Sequence, residues 1–135
     1  MPLTGYPRTD FDWPVAPDGL TELLTGLHRR YGADLPPIQV TESGCAYADV
    51  PTAEGSYPDP DRIAYLDGHL RAVHQAMAQG VDVRGYFVWS LVDNFEWAEG
   101  FTKRFGLVHV DFDTQRRTPK DSYAWYRDLI ARTRR

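Results

Sequence analysis

The chain has 135 residues, of which 42% are hydrophobic and 25% charged, a composition typical of one soluble globular unit. A formal net charge of −4 and a pI near 5.5 argue against a nucleic-acid-binding protein. No apolar run approaches the roughly 20 residues that a membrane helix requires. The single cysteine, Cys45, excludes an intrachain disulfide and gives no sign of an oxidising compartment. A cytoplasmic location is therefore the default expectation, and export stays open.

The pattern of apolar residues predicts seven segments after an irregular lead-in of seventeen residues. They are a helix, a strand, a long loop, a helix, a strand, a hairpin and a helix, at 18–31, 38–42, 43–60, 61–79, 83–90, 107–114 and 121–131. Asp61 is expected to cap the second helix. The near-continuous apolar run Tyr86–Trp89 is typical of a strand buried on both faces of a parallel sheet.

This order contains one complete βαβ unit flanked by helices. Two parallel strands do not make a stable sheet of their own, and a complete (β/α)8 barrel needs about 200 residues or more. We therefore predict an α/β fold in which residues 1–135 form a single partial domain, about a third of such a barrel.

The segment Val40-Thr41-Glu42-Ser43-Gly44 places a carboxylate at the end of the first predicted strand, where α/β barrels hold catalytic groups. The second strand ends in Trp89-Ser90. A carboxylate and an indole that point into one mouth would form a sugar site, because pyranose C–H groups pack on aromatic faces. Taken alone, a glutamate at a strand end is more often solvated or salt-bridged.

A longer stretch sharpens this interpretation. Residues 85–120 read G-Y-F-V-W-S-L-V-D-N-F-E-W-A-E-G-F-T-K-R-F-G-L-V-H-V-D-F-D-T-Q-R-R-T-P-K and resemble the C-terminal signature of glycoside hydrolase family 1 β-glucosidases. The resemblance continues upstream through D-P-D-R-I-A-Y-L-D-G-H-L, V-T-E-S-G-C-A-Y and D-W-P-V-A-P-D-G-L. It covers nearly the whole chain, in the right order.

The resemblance implies the C-terminal part of a (β/α)8 barrel, about its last two βα units, from an enzyme that hydrolyses β-glycosides with retention through two glutamates. Glu42 matches the nucleophile, and Trp89 matches the ring beside the glycone. Glu96 and Trp97 match the pair that holds the distal sugar hydroxyls, and Phe105 an aromatic that closes the pocket. Core packing is the alternative role for the three aromatic rings.

The same resemblance bears on substrates and cofactors. Relatives that act on 6-phosphoglucosides replace the Glu96-Trp97 pair, since a carboxylate repels phosphate. We therefore expect unphosphorylated β-glucosides, or galactosides and fucosides, as substrates. No cofactor is implied, and no metal site is expected, because the four histidines lack metal-ligand spacing. The natural aglycone and the preferred glycone epimer are not predicted.

The sequence departs from the family pattern in two places. Ser43 stands where the family usually has Asn after the nucleophile. The Asn-Glu-Pro segment that carries the acid/base has no match, although retention needs a second carboxyl about 5–5.5 Å from the nucleophile. Asp93, Glu96 and Glu99 are the nearest alternatives in sequence. We therefore expect the isolated chain to be inactive or nearly so.

Three functions stay open. The first is a β-glycosidase present as a piece of a longer or split enzyme, and the second is a non-catalytic remnant that at most binds sugar. The third, a protein-interaction scaffold, rests only on the strand edges that a partial barrel would expose. Bare edges seldom persist in natural proteins. We therefore expect self-association, or dependence on a chain that supplies the N-terminal barrel portion.

Overall fold

The computed structural model describes residues 5–133. Three helices and four strands follow the predicted order: α1 Pro17–Tyr31, β1 Ile38–Ser43, α2 Pro60–Ala78, β2 Val83–Val88, β3 Val108–Val110, β4 Arg117–Pro119 and α3 Asp121–Thr133. Short 3₁₀ turns occupy Gly32–Asp34 and Trp97–Glu99. No helix of this part of the chain is both long enough and apolar enough to cross a membrane.

The strands form two small sheets. β1 and β2 pair in parallel, with Val40 opposite Tyr86 and Ser43 opposite Val88, and α2 is the crossover between them. β3 and β4 form the predicted antiparallel hairpin. The predicted βαβ unit is therefore confirmed, and the carboxyl ends of β1 and β2 lie side by side.

The hydrophobic core lies between the parallel sheet and the helices α1 and α2. It contains Leu24, Val73, Ala76, Val81 and Val83, against which Leu20, Ile38, Val40 and Tyr86 pack. Complete burial of one large aliphatic side chain contributes about 1.5–3 kcal/mol. This layer therefore anchors one face of the two strands firmly to the helices.

The opposite face of the parallel sheet is bare, which corrects the prediction that β2 is buried on both faces. Phe87 is 55% exposed, and Gln39 and Thr41 of the neighbouring strand are exposed as well. An apolar groove of about 590 Å³ runs between β2 and α3, where Leu91 and Ile130 line it. Among the described residues, nothing covers this face.

The prediction that Asp61 caps α2 is also wrong. The helix begins at Pro60 with Asp59 at the N-cap position, and proline suits the first turn because its missing N–H would have no partner there. The Asp59 side chain makes no capping hydrogen bond and binds Arg62 and Ser122 instead. Its charge belongs to a buried network described below.

Candidate functional site

The carboxyl ends of β1 and β2 open into a pocket of about 490 Å³. All five residues that the sequence marked as a site line it, together with four others: Trp13, Glu42, Ser43, Gly44, Tyr65, Trp89, Glu96, Trp97 and Phe105. Glu42 and Glu96 are the two carboxylates among these lining residues. The structure thus joins groups that lie up to 92 residues apart in sequence, from Trp13 to Phe105.

An indole and a carboxylate are paired inside the pocket. The Trp89 Nε1–H donates to Glu96 Oε2 at 3.4 Å, and both side chains are half-buried. Trp97 projects from the rim with 85% of its surface exposed. At 3.4 Å this hydrogen bond is long, so the indole orients one oxygen of Glu96 only weakly and leaves the other available.

An aromatic wall closes one side of the pocket. Phe105 is 4% exposed and packs against Phe11, with ring centroids 5.6 Å apart. Trp13 stacks on Phe11 at 4.7 Å and stays 53% exposed at the pocket. Phe105 is therefore largely a packing residue, and Trp13 offers the free ring face. The sequence interpretation missed Trp13, because its 92-residue separation from Phe105 leaves no local signal.

The two strand ends approach as closely as a glycine allows. A Cβ atom on Gly44 would lie 1.7 Å from the Trp89 carbonyl oxygen. The Trp89 N–H donates to the Ser43 carbonyl at 3.0 Å. These contacts fix the spacing between the strand that carries Glu42 and the loop that carries Trp89.

Two tyrosines surround the residue that follows Glu42. The Tyr86 hydroxyl donates to Ser43 Oγ at 2.8 Å. Burial raises the pKa of Tyr86 and the pKa of Tyr65, and the neighbouring Ser43 hydroxyl opposes both shifts. Both tyrosines thus stay neutral near pH 7. Ser43, which departs from the family pattern, is engaged in a hydrogen bond, and Tyr65 is a second pocket residue that the sequence interpretation missed.

A buried charge network that does not line the pocket contains five side chains: Asp49, Asp59, Arg62, Asp93 and Lys120. Each of these side chains is at most 3% exposed. The Arg62 guanidinium lies 2.5 Å from Asp59 and 3.2 Å from Asp49. Buried charges are tolerated when they are paired and hydrogen-bonded, and here each acid contacts at least one base.

Asp93 is the most heavily bonded member of the network. Its carboxylate accepts from the Gly106 and Val110 backbone N–H groups at 2.9 and 3.2 Å. It also accepts from Arg104 and from Lys120, each at 3.1 Å. With its side chain fully buried, Asp93 is removed from the pocket and cannot protonate a leaving group there.

Glu99, the remaining alternative acid, is not placed to act as the proton donor either. Glu99 is exposed in the turn Trp97–Glu99 and does not line the pocket.

Burial raises the pKa of the Cys45 thiol to about 12, so this cysteine is a packed, unreactive residue. Within residues 5–133, no group of three or more His, Cys, Asp or Glu side chains is arranged to hold a metal ion.

Comparison with known proteins identifies the family of the chain. The model of the family described as "Glycosyl hydrolase family 1" matches residues 3–135. The chain belongs to this family.

Individual relatives are similar over nearly all of the chain. A bifunctional β-D-glucosidase/β-D-fucosidase of Bifidobacterium breve is 48% identical across 97% of the chain. A 6-phospho-β-galactosidase of Streptococcus equi subsp. zooepidemicus is 44% identical across 93% of it. The crystal structure of a psychrophilic β-glucosidase from Micrococcus antarcticus superposes with a TM-score of 0.95, at 52% identity over 99% of the chain.

The chain accounts for a small part of each of these proteins. It spans 29% of the Bifidobacterium relative, 26% of the Streptococcus relative and 28% of the Micrococcus structure. The observed α/β fold therefore corresponds to part of a family 1 structure.

Proposed function

We propose that this chain is the C-terminal portion of a family 1 barrel and supplies the nucleophile and half of the sugar pocket of a retaining β-glycosidase. The observation that supports this best is the single pocket in which Glu42 lies with Trp89, Glu96 and Trp97. Two carboxylates beside two indoles are suited to a neutral sugar, because the acids bind hydroxyls and the rings bind C–H faces.

In this proposal Glu42 attacks the anomeric carbon, and the bond from that carbon to the aglycone oxygen breaks. A covalent glycosyl-enzyme forms on the Glu42 carboxylate, and water then hydrolyses it. Glu42 is exposed at the end of β1, so its oxygens are free to reach a sugar. The leaving oxygen needs a proton, and the other carboxyl that lines the pocket, Glu96, is assigned to sugar binding, so the proton donor must come from another part of the barrel.

The remaining pocket residues bind and orient the sugar. Glu96, with one oxygen held by the Trp89 indole, accepts hydrogen bonds from distal hydroxyls. The exposed indoles of Trp97 and Trp13, which both line the pocket, offer ring faces on which sugar C–H groups can pack.

The Glu96 carboxylate also favours unphosphorylated glycosides. At short range in a partly buried site, carboxylate and phosphate repel strongly. Overall identity does not decide the matter, since relatives named for glucosidase and for phosphogalactosidase activity are nearly equally similar. The local pair Glu96-Trp97 carries this part of the proposal, and β-D-glucosides or fucosides are the expected substrates.

A second candidate is a non-catalytic remnant that at most binds sugar. The missing second carboxyl favours it, since Glu96 is committed to binding and Asp93 is buried. The two candidates predict the same weak binding by this chain and differ in whether activity appears when the rest of the barrel is supplied.

The test measures hydrolysis of 4-nitrophenyl β-D-glucoside by the 135-residue chain, alone and co-expressed with the non-matching remainder of the Micrococcus antarcticus enzyme. Alone, we expect no more than trace turnover, because general acid catalysis contributes about 10²–10⁴-fold. With the complementary part, we expect turnover that Glu42→Ala abolishes and that the control Glu99→Ala leaves intact.

Turnover by the isolated chain comparable to a full-length family member would contradict the proposal. Activity of the complemented protein that survives Glu42→Ala would remove Glu42 from the nucleophile role. A folded complex with no turnover would favour the non-catalytic remnant.

A further inference from the structure

Two loops follow the strand ends at the pocket, and the buried charge network joins them. The first site loop, residues 44–59, follows the strand that ends in Glu42 and contains Asp49, seven positions beyond Glu42. The second site loop, residues 89–107, contains Asp93, three positions before Glu96. Each loop thus contributes buried carboxylates to the network: Asp49 and Asp59 come from the first loop, and Asp93 comes from the second.

Both carboxylates meet the same ammonium group. Lys120 Nζ lies 2.5 Å from Asp49 Oδ2 and 3.1 Å from Asp93 Oδ1, and its side chain is 0% exposed. The Lys120 backbone N–H donates to the Leu107 carbonyl at 2.9 Å, which anchors the base of this side chain. We propose that Lys120 is a positioning residue that holds the two halves of the sugar pocket in register.

An ionic bridge suits this role better than apolar packing. Two buried carboxylates that face one point repel each other unless a cation lies between them. If the loops moved apart, the ammonium would lose a partner in a water-free environment, where unpaired charge is costly. Apolar side chains slide with little penalty, so the bridge restricts the relative position of the loops more tightly.

A backbone hydrogen bond between the strand ends links the position of the loops to the pocket. The Trp89 backbone N–H, at the start of the second loop, donates at 3.0 Å to the carbonyl of Ser43, the last residue of β1 before the first loop. Any slip of one loop against the other must first break this bond and separate Glu42 from the Trp89–Glu96 pair. That the pocket binds a sugar rests on the proposed function, whereas the mechanical link between the loops rests on the contacts alone.

The experiment is amide hydrogen exchange, followed by NMR, on the full chain and two variants. Lys120→Met removes the ammonium and keeps most of the stem. Asp49→Asn removes the charge that Lys120 faces in the first loop and keeps an oxygen acceptor for Arg62. In both, we expect the Trp89 amide to exchange about tenfold faster or more, whereas the α2 amides of Val73 and Ala76 keep their protection.

The matched control is Lys103→Met, which removes a lysine of the second site loop that pairs with Asp10 near the surface. We expect the Trp89 amide to be unchanged in it. Unchanged Trp89 exchange in the folded Asp49→Asn protein would overturn the inference. Equal loss of protection at Trp89, Val73 and Ala76 in both variants would also overturn it, because Lys120 would then hold the whole fold. The measurement needs no sugar and does not depend on the proposed activity.

Discussion

The pocket end of the parallel sheet and its bare face are built in opposite ways. At the pocket end, charged side chains are buried, paired and bonded to backbone groups from several elements. On the bare face, Phe87 and Leu91 are 55% and 61% exposed, and an apolar groove lies open beside them. The strands are the same in both regions, so the difference comes from what surrounds them.

This contrast shows that the chain pairs its buried charges with one another, although Arg62 Nε has no hydrogen-bond partner, and leaves an apolar surface uncovered. A buried ion network tolerates no missing partner, because an unpaired buried charge costs several kcal/mol. An exposed phenylalanine loses only the free energy that burial of its side chain would have contributed. Substitutions in the two regions are therefore expected to differ widely in effect.

The largest effect is expected in the network, from Arg62→Met. The variant removes the partner of Asp59 and Asp49 while keeping an apolar stem, so two buried carboxylates lose a cation. We expect a loss of about 3–5 kcal/mol in the free energy of unfolding, measured by urea denaturation. The control Arg71→Met removes an exposed pair with Asp67 and is expected to leave the free energy of unfolding nearly unchanged. Equal losses in the two variants would show that burial does not set the energetics.

The next effect concerns the close approach of the strand ends. In Gly44→Ala, the new methyl group meets the Trp89 carbonyl, which is backbone and cannot rotate away. We expect a loss of about 1–3 kcal/mol or more, by the same denaturation experiment. Gly19→Ala, in the exposed first turn of α1 with no atom near the new Cβ, is the control and is expected to be neutral or to gain up to about 1 kcal/mol. A neutral Gly44→Ala would mean that the strand ends can separate freely.

A smaller effect is expected from His69, which is buried on α2 and stacks on Tyr65 with centroids 3.9 Å apart. Burial lowers the pKa of His69, and its hydrogen bond to the Tyr65 carbonyl opposes the shift. Since the folded-state pKa lies below the unfolded value of about 6.5, the stability contribution is complete above that pH and is lost as pH falls below it.

The test of this expectation is thermal unfolding between pH 7.5 and 5. His69→Gln is expected to flatten the decline in stability relative to the unchanged chain, and His74→Gln, exposed on the same helix, is expected to preserve it. If His69→Gln shows the same slope, the carboxylates and not His69 set the acid sensitivity.

The smallest effect on stability, and the clearest on association, is expected from Phe87→Gln on the bare face. Because Phe87 is largely exposed, the free energy of unfolding is expected to change by no more than about 0.5 kcal/mol. Light scattering after size exclusion is expected to show self-association of the unchanged chain and less of it in the variant. A sharp monomer of the unchanged chain with cooperative unfolding would show that the partial-barrel account of its stability is wrong.

Much of the fold was predictable, because apolar periodicity and turn residues are local signals. The leucines of α1 and the β-branched residues of β1 placed those elements within one residue of their observed ends. The five candidate site residues were predictable from long motifs, and the structure places all of them in one pocket. Their roles remain predictions.

What could not be predicted depends on contacts between distant residues. Asp49, Asp93 and Lys120 resemble ordinary solvated charges in sequence, and only the fold shows them paired and buried. Trp13 reaches the pocket through packing on Phe11 and Phe105. The exposure of Phe87 could not be predicted for another reason. An apolar strand predicts a covering layer on both faces, and the described residues do not supply it on this face.

The aromatic wall has a consequence for how the chain folds during synthesis. Its N-terminal side is fastened by Lys103, whose ammonium donates to the Asp10 carbonyl from 93 residues away. At a translation rate of about 5–20 residues per second, residue 10 waits roughly 5–20 s for its partner to be made. The βαβ unit can pack before that moment, because its contacts are nearer in sequence. The wall that carries Trp13 is thus expected to form on the ribosome only after the βαβ unit has packed.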